Sequence, residues 1–309
     1  MEECDAMQIQ PDLLLGVLFG VLSSFLFALQ NVLFKSQRKG ITPTAANTIK
    51  IWIGLGLMAL VALLPLRPPG ETISLEAIVV LAISVLFGAA FGDLAYLTSQ
   101  NRVGVSVAFP IAHTFPVFTY FFSVLLLAEQ FFVTRLIGIA LAVFGIMFVS
   151  REENVGKEPH ESKDSGLDRV GILLAVLTSI MLAIATLLIQ IGITGIDPID
   201  GNLIRMFFGS LAMVPIFVLT RGKGDPLPTR DATKIIIFGS LFGFAIGSLF
   251  FVASIKYAGA TVSAVVSTTA PIFALPLSFS HLKEHITSRV VGGTMLSVIG
   301  VVLAIVGVW

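Results

Sequence analysis

An all-α integral membrane fold, ten transmembrane helices arranged as two inverted five-helix repeats, is the class this sequence predicts. Three observations carry the prediction. Of 309 residues, 56% are hydrophobic and 12% charged, about half the charged share of a soluble domain. Apolar windows of about 20 residues, long enough to cross a ~30 Å hydrocarbon core, recur from Leu13 almost to Trp309. The second half also repeats the first in one gapless register.

Taken in order, the first repeat holds spans at Leu13–Phe34, Thr44–Leu66, Leu75–Leu97, Val103–Leu127 and Val133–Ser150. The second holds Asp168–Gln190, Ile199–Thr220, Ala232–Ser254, Gly259–His281 and Ile286–Val308. All are helix length and lack the two-residue alternation of barrel strands. The chain therefore divides into a tail (1–12), a first repeat (13–150), a polar linker (151–167) and a second repeat (168–309). The acidic tail MEECDAMQIQPD lacks the basic start and small-residue cleavage site of a signal peptide, so the first helix is expected to be retained.

Nineteen basic residues balance 19 acidic ones, which gives no electrostatic reason to expect nucleic acid. The single cysteine, Cys4, has no partner for an internal disulfide.

The repeat is read by sliding the chain 155 positions, the offset from Gly16 to Gly171. Gly40 then falls on Gly195, Pro43 on Pro198, Asn47 on Asn202, Gly54 on Gly209 and Gly104 on Gly259. FGAAFG (87–92) falls on FGFAIG (242–247), Pro116 on Pro271, Glu129 on Glu284 and Gly145 on Gly300. Matching glycines, prolines and polar residues together points to duplication rather than shared hydropathy. Five crossings is an odd number, so the second copy enters the bilayer from the opposite side, the architecture of many secondary transporters. The GxxxG spacing at Gly88/Gly92 and Gly243/Gly247 reads as close helix packing.

The fourth and fifth spans of each repeat read AFPIAHTFPVFTYFFSVLLLAEQFFVTRLIGIALAVFGI and SAVVSTTAPIFALPLSFSHLKEHITSRVVGGTMLSVIGV. In both, a mid-helix proline is followed by a glutamate, a polar break and a Gly-rich helix, and a cation (Lys50, Arg205) stands early in the second span. The chain resembles the drug/metabolite transporter superfamily and its EamA-type members, which usually carry arginine where Lys50 stands. The resemblance implies export or exchange of a small metabolite such as an amino acid, without ATP, in a prokaryotic cell membrane. Implied partners are the solute, a coupling proton or counter-substrate, and lipid, with the chain a monomer or weak dimer. No cofactor or metal is implied.

A polar side chain at the centre of a membrane helix costs about 2.5–3.5 kcal/mol on insertion scales, so such residues mark interior cavities. Asp93, Tyr96 and Gln100 make a stripe on the third span; His113 and Tyr120 flank Pro116 on the fourth. Gln30 and Asn31 lie near the end of the first, and Lys50 shares a face with Asn47 and Gly54. The second repeat offers Arg205 with Asn202, then Thr186, Ser248, Ser267, Thr268 and Thr269. The substrate-binding candidates are His113, Asp93, Tyr96, Asn31, Gln30, Tyr120, Lys50, Arg205, Thr186, Ser248 and Thr268. A lining of first-half charges and second-half hydroxyls suits a zwitterionic or amphipathic solute. Asp93 and His113 would meet substrate or a coupling proton, the histidine because it titrates near neutral pH. The alternatives are structural: Asp93 reaches water or pairs with Arg102, Lys50 and Arg205 snorkel to the headgroups, and Glu129 and Glu284 close helix ends.

His281, Glu284 and His285 match the HxxEH zinc-protease pattern, but the repeat explains Glu284 and no third ligand follows. A channel would need a continuous polar path, and an enzyme a convergent nucleophile and base. Neither pattern is visible, nor is a P-loop. With the N-terminus outside, most basic loop residues lie inside and Arg67, Arg135 and Lys256 outside, so the positive-inside rule argues for both termini outside, whereas the resemblance implies cytoplasmic termini.

Overall fold

The computed structural model describes residues 11–36, 40–65, 73–152, 168–222, 228–270, 272–273, 277 and 288–306; among them helix is the only regular structure. The first half comprises α1 (Pro11–Ser36), α2 (Pro43–Ala62), α3 (Leu75–Val85), a π-helical segment (Leu86–Gly92), α4 (Asp93–Val103), α5 (Val105–Ala112), α6 (Phe115–Leu126) and α7 (Val133–Glu152). The second comprises α8 (Arg169–Gly192), α9 (Pro198–Gly222), α10 (Arg230–Gly239), a π segment (Ser240–Ala245), α11 (Ile246–Ser267) and α12 (Ser288–Val306).

Helix starts carry side-chain caps. Thr42 accepts from Ala45 N at 3.3 Å, Ser74 from Ala77 N at 3.2 Å and Thr229 from Ala232 N at 3.3 Å. Asp168 accepts from Val170 N at 3.0 Å and Gly171 N at 3.3 Å. Each satisfies an N–H that the helix itself leaves open.

Among the described residues, six helical runs are long and apolar enough to cross a membrane, at Asp12–Phe34, Pro43–Ala62, Leu75–Val103, Arg169–Gly192, Pro198–Gly222 and Arg230–Ser267. Shorter apolar helices stand at Phe115–Leu126, Val133–Gly145 and Gly292–Val306. The sequence-derived boundaries differ from these at three joints. The third span runs on to Val103 rather than Leu97, the fourth breaks at His113–Thr114, and the eighth continues into the ninth without a loop.

Two glycines account for the missing loops. Gly104 (φ 81°, ψ 162°) and Gly259 (φ 82°, ψ 167°) occupy a backbone region essentially reserved for glycine, so one residue redirects the chain. A Cβ at Gly104 would touch nothing within 4 Å, so Gly104→Ala isolates the backbone term. We expect it to lower stability in detergent by about 1–3 kcal/mol. Gly56→Ala, also without a neighbour within 4 Å but inside α2, should stabilise slightly. Equal stability of the two variants would contradict the backbone assignment.

The halves interlock. α1 packs against α11 and the second π segment, while α8 packs against α3, the first π segment, α4, α5 and α6. The second helices, α2 and α9, pair with each other, as do the last, α7 and α12. Ile51, Met58, Val85, Met206, Met213 and Phe244 form a core between the halves. Large apolar side chains such as Leu63, Leu173 and Leu219 stand on the outer surface, where a water-soluble bundle would place polar ones.

Candidate functional site

The central core borders a cavity of about 180 Å³, with room for on the order of a dozen water-sized groups. It draws Gln30 and Asn31 from α1, Lys50 from α2, Asp93 and Tyr96 from α4, and His113 from the α5–α6 break. From the second half come Thr186 of α8, Arg205 of α9, and Ser248 and Ser267 of α11.

The local fold makes this arrangement. Each π segment bulges at the repeated FG motif and leaves carbonyls off the regular helix ladder. Asn47 meets those of the first: its Nδ2 donates to Ala89 O at 3.0 Å and Ala90 O at 2.9 Å. Its counterpart Asn202 donates instead to Ser248 Oγ at 3.0 Å. Gly88 and Gly243 hold neighbouring helices close: a Cβ at Gly88 would stand 3.2 Å from Ala185 Cβ, and one at Gly243 would stand 2.9 Å from Leu26 O. The GxxxG reading as packing fits these contacts.

Lys50 and Arg205 are both buried, 2% and 5% exposed, so neither snorkels. Lys50 forms an ion pair with Asp93, and its Nζ lies 4.5 Å from the centroid of the Phe244 ring. Asp93 therefore does not pair with Arg102, which bonds Asp168 at 2.8 Å across the repeat boundary. Arg205 donates from Nε to Ser84 Oγ at 3.0 Å and from Nη1 to Asn202 Oδ1 at 3.3 Å. Ser84 was not among the residues singled out from sequence, although it is a lone hydroxyl in the apolar run before Asp93. His113 stacks on Phe109 at 3.7 Å and bonds Phe109 O through Nδ1 at 2.9 Å. A carbonyl only accepts, so Nδ1 carries a proton and Nε2 is the nitrogen left for another partner.

Gln30, Asn31, Lys50, Asp93, Tyr96, His113, Thr186, Arg205 and Ser248 thus line one chamber. Tyr120 and Thr268 lie outside its lining. Tyr120 is buried in a second core with Ile139 and Val265, and its hydroxyl accepts from Phe132 N at 2.7 Å. Thr268 donates to Val265 O of its own helix at 2.6 Å. Gln100 and Thr269 are also outside the lining. Glu129 pairs with Arg135 and accepts from Thr261 Oγ1 at 2.6 Å, which ties the end of α6 to α11. Glu284 and the HLKEH motif fall outside the described residues.

A charged chamber inside a bundle of interlocked apolar helices defines a polytopic membrane transporter. Residues 14–151 and 169–306 each match the EamA-like transporter family, so the chain belongs to it, within the drug/metabolite transporter superfamily. It is 26% identical over 295 residues to an uncharacterized transporter of Archaeoglobus fulgidus, covering 94% of this chain and 98% of that protein. It is 22% identical over 299 residues to an uncharacterized transporter of Clostridium kluyveri, covering 93% and 92%. A solved crystal structure with 16% identity superposes at a TM-score of 0.73 over 94% of this chain and 96% of that one, which shows the shared fold.

Proposed function

We propose that the chain is a secondary carrier that moves a small amphipathic metabolite, an amino acid or a solute like one, by alternating access. Ten crossings in two inverted repeats supply the two exchangeable states, and export or exchange needs no nucleotide. The single observation that carries the reading is the chamber itself. Lys50 and Arg205 stand at equivalent positions of the two repeats, both buried, and both line the same space. Retained charges of that kind, at a cost of kcal/mol each, mark a solute or ion path.

The carrier works in a prokaryotic cell membrane, a reading its archaeal and clostridial relatives support. Both termini face outside, and the chain acts as a monomer or weak dimer with a proton or counter-substrate as coupling partner. A terminal tag that labels only after permeabilisation contradicts that orientation.

The functional test is thermal challenge of the purified protein against amino acids, sugars, nucleosides and drugs, followed by uptake of each stabilising solute into proteoliposomes. Saturable flux is expected, with His113→Leu raising KM on the order of tenfold while the protein stays folded. Binding without gradient- or exchange-dependent flux would count against a carrier.

A further inference from the structure

We propose that the chamber selects organic monoanions: its preferred ligand is an amphipathic hydroxy-carboxylate whose carboxylate meets Arg205. The inference rests on the carrier reading, keeps its small amphipathic metabolite and puts a hydroxy acid in place of the amino acid.

The first argument is a charge count. Besides His113 and Tyr96, the titratable side chains of the lining are Lys50, Arg205 and Asp93. Two cations and one carboxylate leave +1, and protonation of His113 would only enlarge the excess. Lys50 is already met by Asp93. The hydrogen-bond partners of Arg205, Ser84 and Asn202, are neutral, and among the described residues its Nη2 has none. That nitrogen lies at the chamber wall, 4.0 Å from where a Cβ on Gly88 would stand. Asp93, already paired with Lys50, also acts on Arg205 across the chamber but forms no ion pair with it among the described residues; a solute carboxylate would match the guanidinium's planar donor fork directly.

The alternatives balance less well. A monoanion brings the chamber to zero. A dianion overshoots to −1, a zwitterion leaves +1, and a cation raises it to +2.

The second argument is an orphan acceptor. Gln30 lines the chamber, is buried, and its Oε1 has no hydrogen-bond partner. Turned towards the chamber by rotation of its amide, that oxygen would accept from a hydroxyl on the solute. The remaining walls at Phe27, Phe34, Phe115 and Phe251 suit an aromatic body.

The probes are 3-phenyllactate, its near-isostere phenylalanine with ammonium in place of hydroxyl, the cation phenethylamine and the dianion phenyl phosphate. Binding is measured by calorimetry on the purified full-length chain in detergent. Phenyllactate should bind at least about tenfold tighter than each of the others, since each of those leaves net charge in the chamber. Arg205→Gln should bring the preference over phenylalanine to within about twofold; Arg205→Lys should keep its direction with weaker binding. Tighter or equal binding of any other probe overturns the proposal, as does no binding of any probe to folded protein. An undiminished preference in Arg205→Gln overturns the role of that residue. If Arg205→Gln does not fold, the wild-type series and Arg205→Lys decide. Selective binding without flux in liposomes would defeat the carrier reading and leave anion selection standing.

Discussion

Asp93→Asn is expected to lower stability by about 3 kcal/mol and to abolish transport. Breaking a buried ion pair costs roughly 3–5 kcal/mol because the surviving charge is stranded. Here the survivor is Lys50, 2% exposed. The lower end applies because the Phe244 ring still faces the ammonium at 4.5 Å and such a contact is worth about 1–2 kcal/mol. Replacing both partners, Lys50→Met with Asp93→Leu, should restore stability to within about 1 kcal/mol without restoring transport. Unfolding in mixed detergent and uptake by proteoliposomes measure the two effects separately. An Asp93→Asn protein as stable as its parent would mean that Lys50 reaches the headgroups after all.

The other large effect is steric. α7 and α12 meet through glycines: a Cβ on Gly300 would press on Ala142 N, on Gly138 O at 2.6 Å and on Ala142 Cα at 2.8 Å. A Cβ on Gly145 would stand 2.5 Å from Gly293 O and Ser297 N. All of these are backbone atoms, so no rotamer change relieves the contact and the helices must separate. Gly300→Leu is expected to cost about 3 kcal/mol or more, the upper range for overpacking, with Gly145→Leu similar. Gly222→Ala, with no neighbour within 4 Å, is the control and should change little. A Gly300→Leu protein that unfolds with its parent would refute the close contact of the two helices.

The chamber was legible largely because it is polar in a chain that is otherwise apolar. A membrane helix tolerates few reasons for an aspartate or a lysine, so Asp93, Lys50 and Arg205 announce themselves in the sequence. Which charge meets which was missed, since the sequence reading offered Arg102 to Asp93 and the headgroups to Lys50, although helical phase argued against the first. Arg102 follows Asp93 by nine residues, two and a half helical turns, so it leaves from the opposite face. Bonding to Asp168 rather than Asp93 follows that phase. What a spacing rule cannot supply is a change of phase. His113 and Tyr120, seven residues apart, would share a face of one continuous helix, but the break at His113–Thr114 turns Tyr120 into the core. The repeat aligns Thr268 with His113, yet the neighbouring Ser267 is the residue that lines the chamber, a one-residue difference that the alignment does not report. The missing loops at Gly104 and Gly259 were hidden because hydropathy does not report φ.

Solute counterflow in proteoliposomes tests the carrier claim most directly. Vesicles loaded with excess unlabelled solute are diluted into a trace of labelled solute, with no ion gradient imposed. A chamber that opens alternately predicts transient accumulation of label above equilibrium, absent in Asp93→Asn. Label that only equilibrates, at a rate indifferent to the internal solute, would contradict alternating access and make the chamber part of a pore.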